Sequence, residues 1–171
     1  MKSNSANKTL KEIRTRNTLQ PGDIGYLIYL HGKLYSEEYG FNLFFESFVA
    51  ESFSEFYSNH NPQQDRIWIC EDNGKIIGSL FLVDRGEAAQ LRYFLIQKEY
   101  RGLGLGKLLM KNYMKSFRDG GYTSSYLWTV DILDSAASLY QRYGYKLSEE
   151  FASTRFGVSL KEQKYELHTD L

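Results

Sequence analysis

The 171-residue chain carries one cysteine and two prolines. A single cysteine excludes an internal disulfide framework. Cys70 lies in the apolar run Ile67-Trp68-Ile69-Cys70, the setting of a buried core thiol rather than a nucleophile. Charge of one sign is missing too: 21 Lys and Arg balance 21 Asp and Glu, for a formal net charge of zero. Without a basic run there is no field to hold nucleic acid or an anionic membrane, so neither is expected as a partner. No apolar stretch reaches the roughly 18–20 residues that span a bilayer. Residues 1–9 lack the hydrophobic centre of a signal peptide, which makes a cytoplasmic protein the expectation. His31, His60 and His168 share no ligand spacing, so no metal is expected.

Aromatic residues are abundant instead, with 14 Tyr, 11 Phe and 2 Trp. Rings in such number supply core area, and buried tyrosine hydroxyls need polar partners. The length suits one domain, and the expected division is a flexible segment over residues 1–10 followed by a single domain over 11–171. A first strand is expected over residues 13–19. Pro21-Gly22-Asp23 then opens a helix carrying Ile24, Leu27, Ile28, Leu30 and Leu34, which Gly40 stops. A second helix follows from Asn42, with Leu43, Phe44, Phe48, Val49, Phe53 and Phe56 on a broad apolar face. Strand patterns take over at residues 66–71 and 75–83, joined by Asp72-Asn73-Gly74, a strong hairpin signal. Residues 90–96 complete a three-strand antiparallel meander. A helix from Leu105 to Gly120-Gly121, a strand at 126–130, a helix closed by Gly144, and strands near 145–151 and 163–168 finish the chain.

The strongest chemical signal is Tyr100-Arg-Gly-Leu-Gly-Leu-Gly-Lys107, between a strand and a helix. Glycines there let the chain bend sharply and bring several N–H groups to one anion, and the helix adds its positive dipole end. Arg101 and Lys107 add charge. A P-loop is excluded, because Gly102 stands one place too close to Gly106 and Leu108 replaces the metal-binding hydroxyl. A dinucleotide fingerprint fails as well, since its last glycine falls on Lys107 or Leu109.

Arg101-x-x-Gly104-x-Gly106 resembles the Arg/Gln-x-x-Gly-x-Gly/Ala motif of the GNAT N-acetyltransferase superfamily, and the element order resembles that fold. His31-Gly32, Tyr35, Glu38-Tyr39-Gly40, Leu127-Trp128-Thr129 and residues 153–160 resemble, more narrowly, the acetyltransferase half of bacterial proteins that fuse a MarR-type winged helix to a GNAT domain. The chain has no room for that winged helix. The resemblance implies a mixed α/β (α+β) GNAT fold: a mainly antiparallel, twisted sheet of about six or seven strands flanked by about four helices. It implies acetyl-CoA as cosubstrate and a small-molecule or peptide amine as acceptor, and relatives of this fold often dimerise.

By that resemblance the backbone of Phe94, Leu95 and Ile96 would hold the pantetheine arm and polarise the thioester carbonyl. The amides of Gly102, Leu103, Gly104, Leu105, Gly106 and Lys107 would hold the pyrophosphate. Arg101 either orients the turn or touches the cofactor. Tyr140 is the expected acid that protonates the leaving thiolate; a phenol near pKa 10 can do so. Leu133 stands where many relatives carry a cofactor-contacting Asn, with Asp131, Asp134 or water as replacements. An attacking amine must be neutral, so a base is sought on the first two helices. His31 and Glu38, seven residues apart, share a helical face and are the candidates. Tyr35 and Glu46 are expected acceptor contacts, and Glu87 and Arg92 weaker ones. The competing reading keeps the phosphate cradle without catalysis, as an acyl-CoA-binding sensor.

Overall fold

The computed structural model describes residues 10–169. The expected flexible segment therefore lies outside the described residues, except for Leu10. That residue opens a short 3-10 turn, Leu10–Glu12, and packs against the core.

Strand β1 (Arg14–Arg16) is shorter than expected. Arg16 ends it by bridging two carboxylates, Asp23 and Glu71, each at 2.7 Å. The Gln20 amide also donates to Asp23 at 2.6 Å, so the chain turns here into helix α1 (Asp23–Tyr39). Gly40 stops α1 as expected, in a left-handed conformation (φ 73°) that glycine adopts without strain. Helix α2 (Leu43–Ser58) buries Phe45, Val49, Phe53 and Phe56, spaced for one helical face.

Strands β2 (Arg66–Asp72) and β3 (Lys75–Arg85) form the expected hairpin, with Asn73 and Gly74 both at positive φ. Then follow β4 (Ala88–Ile96), α3 (Leu105–Asp119), β5 (Ser124–Val130), α4 (Asp134–Arg142), β6 (Lys146–Ser153) and β7 (Leu160–His168). The seven strands make one open sheet in the order β1-β2-β3-β4-β5-β7-β6. Every neighbouring pair is antiparallel except β4 and β5. Seven mostly antiparallel strands with four α-helices give the expected mixed α/β fold.

Each face of the sheet carries its own core. Helices α1 and α2 cover one around Phe53, Phe56, Phe81 and Tyr93. Helices α3 and α4 cover the other around Leu80, Leu109, Tyr113 and Tyr140. No helix among the described residues is long and apolar enough to cross a membrane.

Two irregularities in β4 position the site. The register against β3 slips between Ser79 and Phe81, and Tyr93 sits at φ 52°, an uncommon conformation for a non-glycine residue. This bulge turns consecutive side chains, Arg92 and Tyr93, to the same side, where both bond Ser52 of α2. The Tyr93 carbonyl accepts a 2.6 Å hydrogen bond from the buried Ser79 hydroxyl. The second irregularity lies on the other edge. β4 pairs with β5 only at Ala88, Ala89 and Gln90, facing Ser124, Ser125 and Tyr126. Beyond that point the two strands form no pairs, and a wedge opens between them.

Candidate active site

The wedge widens into a cleft of about 1380 Å³ that runs from the glycine turn, along β4, to α1, α2 and the β6–β7 connection. Residues 91–96 of β4 form one wall, and residues 128–130 of β5 with the start of α4 form the other. Phe94, Leu95 and Ile96 line it.

At one end, Gly102 and Gly104 hold φ of 77° and 89°, in the left-handed region. The first α-helical bond of α3 runs from the Leu108 amide to the Gly104 carbonyl, and no side chain caps the helix. The amides of Leu105, Gly106 and Lys107 therefore precede the intrahelical ladder, as first-turn donors do. A Cβ on Gly102 would meet no heavy atom within 4 Å, so the turn is open to an approaching ligand. Gly106 differs: a Cβ there would press on Ile96 at 3.3 Å, so glycine lets α3 sit directly against β4. The side chains of Leu103 and Leu105 turn into the core, which leaves their backbone for binding. A free row of amides at a helix start, opening on a long apolar cleft, fits a pyrophosphate-bearing ligand such as acetyl-CoA.

Arg101 lines the cleft beside that row. Its guanidinium grips Glu38 through two hydrogen bonds, 2.5 and 2.8 Å, and donates a third at 3.0 Å to the Ile96 carbonyl. These contacts tie the turn to α1 and to the end of β4. The same pairing occupies Glu38, whose carboxylate is bound to a cation rather than directed at an acceptor.

Tyr140 projects from α4 into the cleft with only 6% of its surface exposed, between Phe94, Tyr145 and Tyr165. Burial pushes its phenol pKa well above the ordinary value, and the Tyr35 and Tyr145 phenols add to the shift. The hydroxyl stays protonated throughout the physiological range.

His31 and Tyr35 line the opposite wall, their rings stacked at 6.2 Å between centroids. The Leu27 carbonyl accepts a 2.8 Å bond from His31 Nδ1, so Nδ1 carries the proton and Nε2 is the acceptor in the neutral ring. Burial lowers the His31 pKa to about 4 and raises that of Tyr35 to about 12. Both are neutral at pH 7.

Glu46 is not brought to the cleft. Its carboxylate fills the space a Cβ on Gly32 would need, where α1 and α2 meet. Glu87 is exposed in the β3–β4 turn, away from the site. Arg92 lines the cleft but is tied to Glu55 at 2.9 Å and to Ser52. Leu133 also lines it, whereas Asp131 accepts the Lys161 amide at 2.8 Å and Asp134 opens α4 at the cleft edge. Cys70 is fully buried, its thiol pushed up to about 11 by burial, far from nucleophilic form.

The sequence reading missed the far end of the cleft. There Glu162 of β7, 5% exposed, is bonded to Arg155 and lines the cleft together with Trp128, Phe151 and Phe156. Glu162 lies in the charged run Lys161-Glu-Gln-Lys164, which carries no motif and reads as a solvated face. Only the register shows it opposite Val130 and Phe151.

The model of the acetyltransferase (GNAT) family matches residues 32–145 of the chain, which include the glycine turn, both wedge strands and Tyr140. Human N-acetyltransferase 8B is 34% identical over 85 residues, 46% of this chain and 37% of that protein. The chain thus spans little more than a third of this relative's length. An acetyltransferase from Streptococcus agalactiae superposes with a TM-score of 0.72 at 19% identity, covering 93% of this chain and 99% of the other. A GNAT family acetyltransferase from Elizabethkingia anophelis, solved with acetyl-CoA bound, superposes at 0.64 with 14% identity, covering 92% and 99%. The fold, the glycine turn at the head of α3 and the extent of the match lead to one conclusion: the chain belongs to the GNAT acetyltransferase family.

Proposed function

We propose that the protein is an acetyl-CoA-dependent N-acetyltransferase that passes the acetyl group directly to a primary amine while both substrates are bound. One observation carries the reading: the β4–β5 wedge joins the open amides of residues 105–107 to the protonated phenol of Tyr140 in a single cleft. Acetyl-CoA, when bound, supplies an acyl group on a sulfur leaving group. The chain does the rest. The α3 amides hold the pyrophosphate, and the unpaired stretch of β4 aligns the extended arm and turns a backbone donor toward the carbonyl. The amine nitrogen forms the new C–N bond as the C–S bond breaks, and the Tyr140 hydroxyl gives its proton to the departing sulfur. Burial raises the proton affinity of that sulfur as it does the phenol's, so the transfer runs between groups equally removed from water. The proton lost by the amine leaves through the His31 wall, directly to Nε2 or through water, and Tyr140 recovers one from solvent.

The narrower likeness to the acetyltransferase half of MarR–GNAT fusions belongs to this reading, as do a cytoplasmic location and homodimer formation. The test is Tyr140→Phe, assayed by CoA-thiol release over an amine panel. The kcat is expected to fall about 100-fold, with acetyl-CoA affinity by calorimetry within about twofold of the parent. Unchanged turnover would sink the role of Tyr140. A parent protein that binds acetyl-CoA but acetylates no amine would support the acyl-CoA sensor instead.

A further inference from the structure

Glu162 presents a problem that the acetyl-transfer machinery does not solve. One carboxylate oxygen accepts a 2.5 Å bond from the Arg155 guanidinium, whereas the other, Oε1, is buried with no hydrogen-bond partner. Among the described residues it is the one side-chain oxygen or nitrogen sealed in this way. A buried anionic oxygen without a donor costs free energy, and the fold keeps it at the wall of the cleft.

The surroundings restrict what could satisfy it. Glu162, Val130 and Trp128 share one face of the sheet, with Phe151 opposite Glu162 on the neighbouring strand. Trp128 and Phe151 meet edge to face at 5.9 Å, and both stay about half exposed on the cleft. Arg155 already covers the faces of Phe48 and Phe156, at 4.7 and 4.6 Å. Glu162 thus shares one face of the cleft wall with two aromatic rings, Trp128 and Phe151, and among the described residues no cation is seated on either ring. A carboxylate combined with open aromatic rings favours an ammonium group.

We propose that Glu162, with Trp128 and Phe151, forms the acceptor subsite and selects amines that arrive as ammonium ions carrying an aromatic or apolar body. Oε1 takes the hydrogen bond of the ammonium, with a small rotation of the carboxylate, and the rings cover the body. Glu162 is a binding residue here, and deprotonation for attack falls to the His31 wall. The inference rests on the proposed acetyltransferase reading, but its test does not depend on turnover.

The probe is 2-phenylethylamine, compared with its neutral counterpart 2-phenylethanol, titrated at pH 7 against intrinsic tryptophan fluorescence with CoA present. The ammonium is expected to bind at least about tenfold more tightly than the alcohol, and Glu162→Gln to abolish that preference. Glu162→Asp, which retains the charge, should keep part of it. Acetyl-CoA affinity and melting temperature establish that each variant is folded. If Glu162→Gln fails to fold, the parent's preference and its partial retention in Glu162→Asp decide the matter. Equal binding of the two probes by the parent, or an undiminished preference in a folded Glu162→Gln protein, overturns the subsite. Failure to bind acetyl-CoA at all would overturn the acetyltransferase reading instead.

Discussion

Burial decides the chemistry of the individual residues that line the cleft. His31 is held neutral because an imidazolium in its pocket would lose hydration without gaining a carboxylate. Its folded pKa of about 4 lies below the ordinary histidine value of 6.5, so the unfolded chain binds the extra proton first as pH falls. The stabilisation from burying the neutral ring is thus complete above pH 6.5 and is lost progressively down to pH 4. It amounts to at most about 3 kcal/mol. Denaturant titrations of the parent and of His31→Gln between pH 7.5 and 4 should show a steeper loss in the parent; parallel curves would contradict the assignment. His31 was a candidate through its helical spacing from Glu38, and Tyr140 through the family resemblance. The sequence could not show their protonation states, which depend on packing from distant elements. Glu162 was hidden for the same reason.

At the scale of elements, the turn before α3 is gripped from outside. Arg101 binds the Ile96 carbonyl at the end of β4 and Glu38 in the last turn of α1, so one guanidinium ties three elements together. An exposed ion pair contributes about 1 kcal/mol or less, so the pair matters for shape more than for stability. Arg101→Leu is expected to weaken acetyl-CoA binding several-fold while kcat at saturation changes little, and Glu38→Gln should reproduce a smaller part of that loss. A Glu38→Gln protein with normal affinity and a kcat lowered about 100-fold would return Glu38 to proton transfer. The turn itself was legible, because glycine spacing is a local property of the chain. The bulge at Tyr93 was not. A tyrosine at positive φ inside an alternating strand gives no sign in the sequence; the conformation comes from the offset against β3 and the hydroxyl of Ser79. The first strand was overestimated because nothing local shows Arg16 reaching both Asp23 and Glu71.

For the whole molecule, the order of elements was readable from periodicity and turn residues, but the placement of β7 between β5 and β6 was not. Strand β6 is exposed along nearly its whole length, so it lacks the alternation that would announce an edge. The closed end of the wedge is held by a chain of hydroxyls. Ser125 bonds Tyr113 at 2.7 Å and Tyr145 at 2.6 Å, all three buried, which links α3, β5 and the residue before β6. Ser125→Ala leaves the Tyr145 hydroxyl without that partner and should cost about 2 kcal/mol, seen as a melting temperature lower by roughly 4–8 °C. A shift below about 1 °C would mean that the hydroxyl chain does not secure the closed end.

That closed end has a mechanical consequence. The two leaves of the sheet are stitched by three residue pairs, a seam of only about 10 Å, while each leaf is otherwise complete. Resistance to opening is weakest at the mouth, where no backbone rung joins β4 to β5. A ligand bound along β4 as proposed would supply the missing rungs and stiffen the sheet, so that the grip on the ligand and the cohesion of the fold would become a single quantity.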